Sequence, residues 1–169
     1  DALRNAVEES IRILGQGFIS HEANSELRKL LSGKNIDSES LSTQDLYREI
    51  LRLVYRFVFL FVAEDRDLLF PENVGKEVRD FYYSNYSTQR LRKLASKIRG
   101  GNEIDAYNQL KVVFSGLGSL EGLPKLGLLG LGSFLFSSKA TPHLDSCQIS
   151  NRDLFLAFSK LTLVRVNGI

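Results

Sequence analysis

The chain has a single cysteine, Cys147, and two histidines, His21 and His143, and this scarcity excludes two ways of holding a fold together. A lone thiol cannot close an internal disulfide, and one sulfur with two imidazoles falls short of the four ligands of a structural zinc site. Lack of a disulfide framework suits a reducing compartment. No basic start with an apolar stretch and a small-residue cleavage site opens the sequence either, so cytoplasm is the expected location. Methionine is absent from all 169 residues. Translation begins with methionine, so the chain is expected to be a fragment of a larger protein. Excess charge is lacking too: a net charge of +2 is too small to draw nucleic acid over the whole surface, and any such attraction must come from a local cluster.

What is present is an ordinary globular composition. Hydrophobic residues make up 43% and charged residues 25%, so neither disorder nor a fibrous repeat is indicated. The expected organisation is one helical domain over residues 1–169, long enough to bury roughly two-thirds of its unfolded surface. Leu3, Val7, Ile11 and Leu14 form one apolar helical stripe, which Gly15 and Gly17 are expected to stop. Asn24 or Ser25 can cap a second helix carrying Leu27, Leu30 and Leu31, with Gly33 as its left-handed C-terminal residue. The strongest segment runs from about 42 to 65: Ser42 caps, Asp45 sits in the first turn, and Leu46, Ile50, Leu53, Val54, Phe57 and Phe61 follow at helical spacing. Leu53 to Ala63 is apolar at every position but Arg56, so this helix needs neighbours on several sides. It is about half the roughly 20 residues that a membrane span requires, and charges flank it.

Ser87 can cap a helix bearing Leu91, Leu94, Ala95 and Ile98, ended by Gly100 and Gly101. Tyr107, Leu110, Val113 and Phe114 support a further helix from about Glu103 to Ser115. The glycines and leucines of 116–132 favour a buried irregular connection. Ser150 and Asp153 form a capping-box variant for a last helix with Leu154, Phe155, Phe158 and Leu161, after which Thr162 to Val166 is expected to extend as a short strand. The fold class is therefore all-α, an irregular multi-helix bundle around the central helix of about 42–65.

Chemistry is harder to find. Gly116, Gly118 and Gly122 follow a helix and are spaced G-x-G-x-x-x-G, which is not the dinucleotide fingerprint; close packing is the preferred use of these glycines. No lysine has Asp or Glu two residues before it, so the usual magnesium-nuclease motif is absent. With only Pro71, Pro124 and Pro142, the paired prolines of an adenine amino-methyltransferase are absent as well. His21 beside Glu22 and His143 near Asp145 are weak acid–base candidates, since sequence neighbours rarely converge on one substrate. Cys147 has no nucleophile signature, and a packed or surface thiol is expected. No catalytic, cofactor-binding or metal-binding residue is assigned.

One cluster stands out. Arg90, Arg92, Lys93, Lys97 and Arg99 lie in a run from Asn85 to Gly101 that has no acidic residue and is preceded by Tyr82, Tyr83 and Tyr86. Contact with a DNA backbone is physically reasonable there, although a solvated basic face is the commoner use of such a run. At the end of the apolar helix, Arg56 and Arg66 are expected to pair with Glu64 and Asp65 as a structural charge cluster.

At these residues a family resemblance enters. Leu53-Val-Tyr-Arg-Phe-Val-Phe-Leu-Phe-Val-Ala-Glu-Asp-Arg66 resembles the "LVYRLLFLFVAEDR" signature upstream of the methylase domain in large fused type II (type IIG-like) restriction-modification proteins. Further blocks agree in order: Leu14-Gly-Gln-Gly-Phe18, Asn24 with Leu27-Arg28, Tyr86-Ser87 with Arg90-Leu-Arg92, Leu135-Phe136, and Ser150-Asn151. The resemblance implies a helical spacer between an N-terminal nuclease and an S-adenosylmethionine-dependent adenine-N6 DNA methylase. S-adenosylmethionine, and Mg for any nuclease, would belong to the parent protein and not to this chain. DNA and the flanking nuclease and methylase domains are the implied partners, and a membrane is not among them. Two alternatives stay open: a free-standing enzyme built on His21, His143 or the glycines, and a protein–protein adaptor of a phage-defence complex, which would expose an apolar patch.

Overall fold

A computed structural model describes residues 1–34 and 39–166, with side chains to Leu163. Among the described residues the architecture is all-α, without a sheet; the only extended pairing is an isolated antiparallel bridge between Leu123 and Leu128. The helices are α1 (Ala2–Ser20), α2 (Ser25–Ser32), α3 (Thr43–Asp65), α4 (Lys76–Asn85), α5 (Thr88–Lys97), α6 (Asp105–Gly118) and α7 (Asn151–Val166). Short 3₁₀ turns cover Glu22–Asn24, Pro124–Leu126 and Leu144–Ser146. Among the described residues no helix is long and apolar enough to cross a membrane.

The central helix forms where its periodicity places it. Ser42 Oγ accepts from the Asp45 N–H at 3.0 Å and so satisfies one of the amides that a helix start leaves open. Leu53, Val54, Phe57, Leu60 and Phe61 are all buried, and Phe57 lies between the rings of Phe114 and Phe158 at 6.4 and 4.8 Å. Each such side chain contributes roughly 1.5–3 kcal/mol relative to exposure. The outer face of the same helix is less covered: Tyr55, Phe59 and Val62 are exposed, so the greasy circumference is enclosed on most sides but not all.

Helix α1 does not stop at Gly15 and Gly17 but runs on to Ser20. Glycine is only mildly unfavourable inside a helix, and here its missing side chain has a use. A Cβ at Gly17 would lie 2.9 Å from Ile149 Cδ1 and 3.0 Å from Asp153 Cβ, so the glycine lets α1 approach the start of α7 closely. Ser10 reinforces the same contact by donating to the Ala157 carbonyl at 3.1 Å. Ser150 caps α7 as expected, accepting from Asp153 N at 3.2 Å. The strand expected over Thr162–Val166 is helix instead, the end of α7. Continued i→i−4 bonding outweighs the weak strand preference of β-branched residues, and Thr162 fits because its hydroxyl bonds back to the Ser159 carbonyl at 3.1 Å.

Other boundaries follow the same local rules. Gly33 closes α2 at φ +66°, in the left-handed region. Asn24, in contrast, makes no side-chain cap. It donates to the carbonyls of Phe18 and Gln148 at 2.8 and 2.7 Å and accepts from Gln148 N at 2.9 Å, tying the end of α1 to the approach to α7. The tyrosine-rich piece is itself helical, as α4, and α6 extends to Gly118. The glycines there do pack: a Cβ at Gly118 would sit 2.3 Å from the Phe136 carbonyl oxygen, and one at Gly116 would sit 2.8 Å from Leu123 Cβ.

Two substitutions in α1 separate packing from propensity. Gly17→Val is expected to lower stability by about 1–3 kcal/mol through overpacking. Gly15→Ala, whose Cβ would meet only Ile50 Cδ1 at an ordinary 3.5 Å, is expected to raise stability by up to about 1 kcal/mol. Thermal unfolding followed by circular dichroism gives both signs.

Candidate functional site

Helix α5 carries the basic run, and its start is built around a carboxylate from α3. Ser87 caps α5: its Oγ accepts from Arg90 N at 3.0 Å and donates to the Tyr83 carbonyl at 2.6 Å, which makes the turn from α4 tight. Against this start lies Glu64, whose side chain has 0% exposure. One of its oxygens accepts from Thr88 N and Tyr82 Oη at 2.9 and 2.8 Å. The other accepts from Thr88 Oγ1 and Gln89 N, both at 2.8 Å, and from Arg92 Nη2 at 3.4 Å. A helix N-terminus suits a buried carboxylate because its open amides point outward and its dipole favours negative charge. Burial and the neighbouring Glu64 charge push the Tyr82 hydroxyl far above its usual pKa, so it stays a donor. Tyr83, which donates to the Glu64 backbone carbonyl at 3.0 Å, is pushed up to about 12, chiefly by burial.

The acid-free run is therefore not acid-free in space. Arg92 donates to both Asp65 oxygens at 3.1 and 3.0 Å, stacks 4.5 Å from the centre of the Phe61 ring, and is only 13% exposed. Arg90 is half-buried and bonds Gln109 of α6. These two arginines are fastened inward. Lys93, Lys97 and Arg99 are exposed, and among the described residues no ion pair involves them. The five candidates thus split into two structural arginines and three surface cations.

The expected pairing of Arg56 and Arg66 with Glu64 and Asp65 is corrected in the same way. Arg92 takes both acids, Arg66 is exposed at the end of α3, and Arg56 points to a different part of the molecule. Two helical turns earlier on α3, Arg56 is 1% exposed and donates through Nε to the Leu135 carbonyl at 2.6 Å and through Nη2 to the Ser137 carbonyl at 2.8 Å. Its guanidinium lies 4.8 Å from the centre of Phe114 and 5.9 Å from that of Phe136. Burial pushes its pKa down, opposed first by Asp145, whose Oδ1 is 3.8 Å from Nη1.

Neither histidine is paired as its sequence neighbours would suggest. His21 Nδ1 accepts from Ala23 N at 3.1 Å and caps the turn Glu22–Asn24. His143 meets Glu49 and not Asp145: its Nδ1 lies 2.6 Å from Glu49 Oε2, while Glu49 Oε1 accepts from the backbone N–H groups of His143 and Leu144 at 2.9 and 3.2 Å. Glu49 thereby seats the turn Leu144–Ser146 on α3. Cys147 is buried, and burial with the nearby Glu49 pushes its thiol up to about 11, the opposite of nucleophile activation. Lys111 donates to the carbonyls of Asp145 and Cys147 at 3.3 and 3.1 Å. Among the described residues no three His, Cys, Asp or Glu side chains come together to hold a metal ion.

Sequence reasoning placed Glu64 in a structural charge cluster but missed its partners, the start of α5 and the Tyr82 hydroxyl. A buried-helix acid followed downstream by a Ser-capped helix is a signal of sorts, but nothing local says which helix start the acid meets. The class that fold and site define is an all-helical module whose interior charges fasten its own loops. No protein-family model, curated protein or solved structure matches the chain.

Glu64→Ala is expected to cost about 3–5 kcal/mol, because it strands several buried donors. Arg92→Ala should cost distinctly less, since Glu64 keeps four other hydrogen bonds. Urea unfolding of both variants checks the order. For Cys147, a thiol reagent at pH 8 should react slowly with the folded chain and rapidly once denaturant is added; equal rates would contradict the buried, raised-pKa thiol.

Proposed function

We propose that this chain is the helical spacer of a fused type II restriction-modification DNA methyltransferase. In this reading it is a non-catalytic module that holds flanking nuclease and methylase domains in register and touches the DNA backbone through Lys93, Lys97 and Arg99. The observation that carries the contact is the exposure of these three cations without acidic partners among the described residues: Lys93 and Lys97 lie on a helix whose start is anchored from inside by Glu64, and Arg99 lies two residues beyond its end. Arg90 and Arg92 leave the contact set because their guanidiniums are engaged within the fold. The family resemblance of Leu53 to Arg66 and the ordered blocks around it support the parent assignment. In that parent, S-adenosylmethionine and Mg serve the flanking domains, and the protein works in the cytoplasm.

Three phosphate contacts imply that log K falls against log salt with a slope of about −3 on duplex DNA. Fluorescence anisotropy at low salt should show binding with that order of slope, and Lys93→Glu with Lys97→Glu should abolish it without unfolding the chain. Absence of low-salt binding, or binding indifferent to the double reversal, would refute the DNA contact. Paired prolines after a strand, downstream in the same reading frame, test the methylase parent.

A second reading, a protein–protein adaptor, draws on one feature. Phe59 and Val62 of α3, with Leu68, Leu129 and Leu131, line an exposed apolar groove of about 320 Å³. These exposed apolar side chains are contiguous and not singly scattered, which is what an adaptor surface needs. This reading predicts no salt-sensitive DNA affinity, so the anisotropy titration separates the two.

A further inference from the structure

We infer that the cleft between α6 and the segment from Phe136 to Asp145 is a binding site for a small phosphate-bearing molecule. The cleft has a volume of about 400 Å³, and Arg56 and Lys111 line it together with Asp145 and the rings of Phe114 and Phe136. Arg56 is 1% exposed, and its Nε and Nη2 are hydrogen-bonded. Its Nη1 makes no hydrogen bond among the described residues; it faces Asp145 Oδ1 at 3.8 Å, beyond bonding distance. Nη1 is open to the cleft, so beyond its ion pair with Asp145 it can donate to an acceptor bound there.

The other donors converge on the same space. Lys111 Nζ gives two of its three N–H bonds to the Asp145 and Cys147 carbonyls, which leaves one. Ser115 and Ser138 stand exposed at the rim, with no hydrogen bond from either hydroxyl among the described residues. Donors arriving from α3, α6 and the 136–145 segment suit a tetrahedral oxyanion better than a planar carboxylate, which one arginine fork alone would satisfy. The formal charges of Arg56, Lys111 and Asp145 sum to +1, so an anion is attracted. Asp145 supplies an acceptor for a protonated phosphate oxygen or an adjacent hydroxyl of the ligand. Aromatic walls lower the local dielectric and strengthen these interactions. Burial also pushes the Lys111 pKa down, a sign of an ammonium short of solvation that a bound anion would relieve. An adjoining hollow of about 560 Å³ shares Lys111, Ser115, Ser119 and Asp145 and leaves room for the remainder of a phosphorylated molecule. Neither space is lined by Lys93, Lys97 or Arg99, so this site is independent of the proposed DNA-facing edge.

Isothermal titration of the chain with inorganic phosphate, against chloride at matched ionic strength, tests the site. Saturable one-to-one binding is expected, weakened about tenfold by Lys111→Gln and several-fold by Ser138→Ala, tightened by Asp145→Asn, and unchanged by Lys97→Glu. Glycerol 3-phosphate, which adds hydroxyls, should bind more tightly than inorganic phosphate, and Asp145→Ala, which removes the acceptor, should erase that difference. Circular dichroism checks that each variant is folded; Ser138 is exposed, so its substitution decides the matter if Lys111→Gln unfolds. No saturable heat at millimolar phosphate would overturn the inference. So would binding that ignores Ser138→Ala and Lys111→Gln, or binding that is lost with Lys97→Glu instead.

Discussion

The meeting of α3, α4 and α5 depends on a carboxylate that water does not reach. Removing Glu64 from solvent costs several kcal/mol unless every lone pair finds a donor, and the fold supplies five: two amides and a hydroxyl from the first turn of α5, the Tyr82 phenol of α4, and Arg92. Satisfying that demand brings α3, α4 and α5 to one point and sets the direction in which α5 leaves it. Helix α5 then packs on α7, and α7 on α1, so the orientation of this one helix is passed through the bundle. The exposed cations at its far end inherit their placement from the same anchor.

Glu64 is one of three charged residues that α3 buries. Glu49, Arg56 and Glu64 are spaced seven and eight residues apart, close to two helical turns each, and therefore lie on neighbouring stripes of the helix. Each fastens a different part of the chain: Glu49 the amides of His143 and Leu144, Arg56 the carbonyls of Leu135 and Ser137, Glu64 the start of α5. Arg52, between the first two, reaches the Ala140 carbonyl at 3.0 Å. Turns within residues 134–148 satisfy part of that backbone, but apolar contact alone would leave the carbonyls of Leu135 and Ala140 and the amides of His143 and Leu144 without partners inside the protein. Polar residues of α3 supply those partners, which explains how so irregular a stretch packs on the central helix.

That arrangement also orders the functional readings. Arginines that look like nucleic-acid ligands in sequence become structural once partners arrive from other helices, Glu64 and Asp65 for Arg92 and Gln109 for Arg90, and the cations of the run left at the surface are Lys93, Lys97 and Arg99. Arg56 moves in the opposite direction. Placed beside Glu64 by its sequence neighbourhood, it instead stands in the wall of a cleft, hydrogen-bonded to two carbonyls and ion-paired with Asp145.

Local physics was legible in the residues themselves. Periodicity located α3, the serine caps located the starts of α3, α5 and α7, and the left-handed glycine at 33 ended α2, because each signal acts within a few residues of where it is written. The errors lie where a distant partner overrides a local rule. Gly17 continues α1 since Ile149 and Asp153 need its missing side chain, and Asn24 leaves its capping role to bond Gln148. The candidate sites were less legible still: Glu64 meets Thr88 across 24 residues, and Arg56 meets Ser137 across 81. The sequence by itself determined an all-helical chain with a buried central helix, since hydrophobic spacing and capping are short-range. Only the tertiary structure decided which charges are buried, which face outward and which line a cleft, because the energy of a charge depends on the solvent and partners around it and not on its neighbours in the chain.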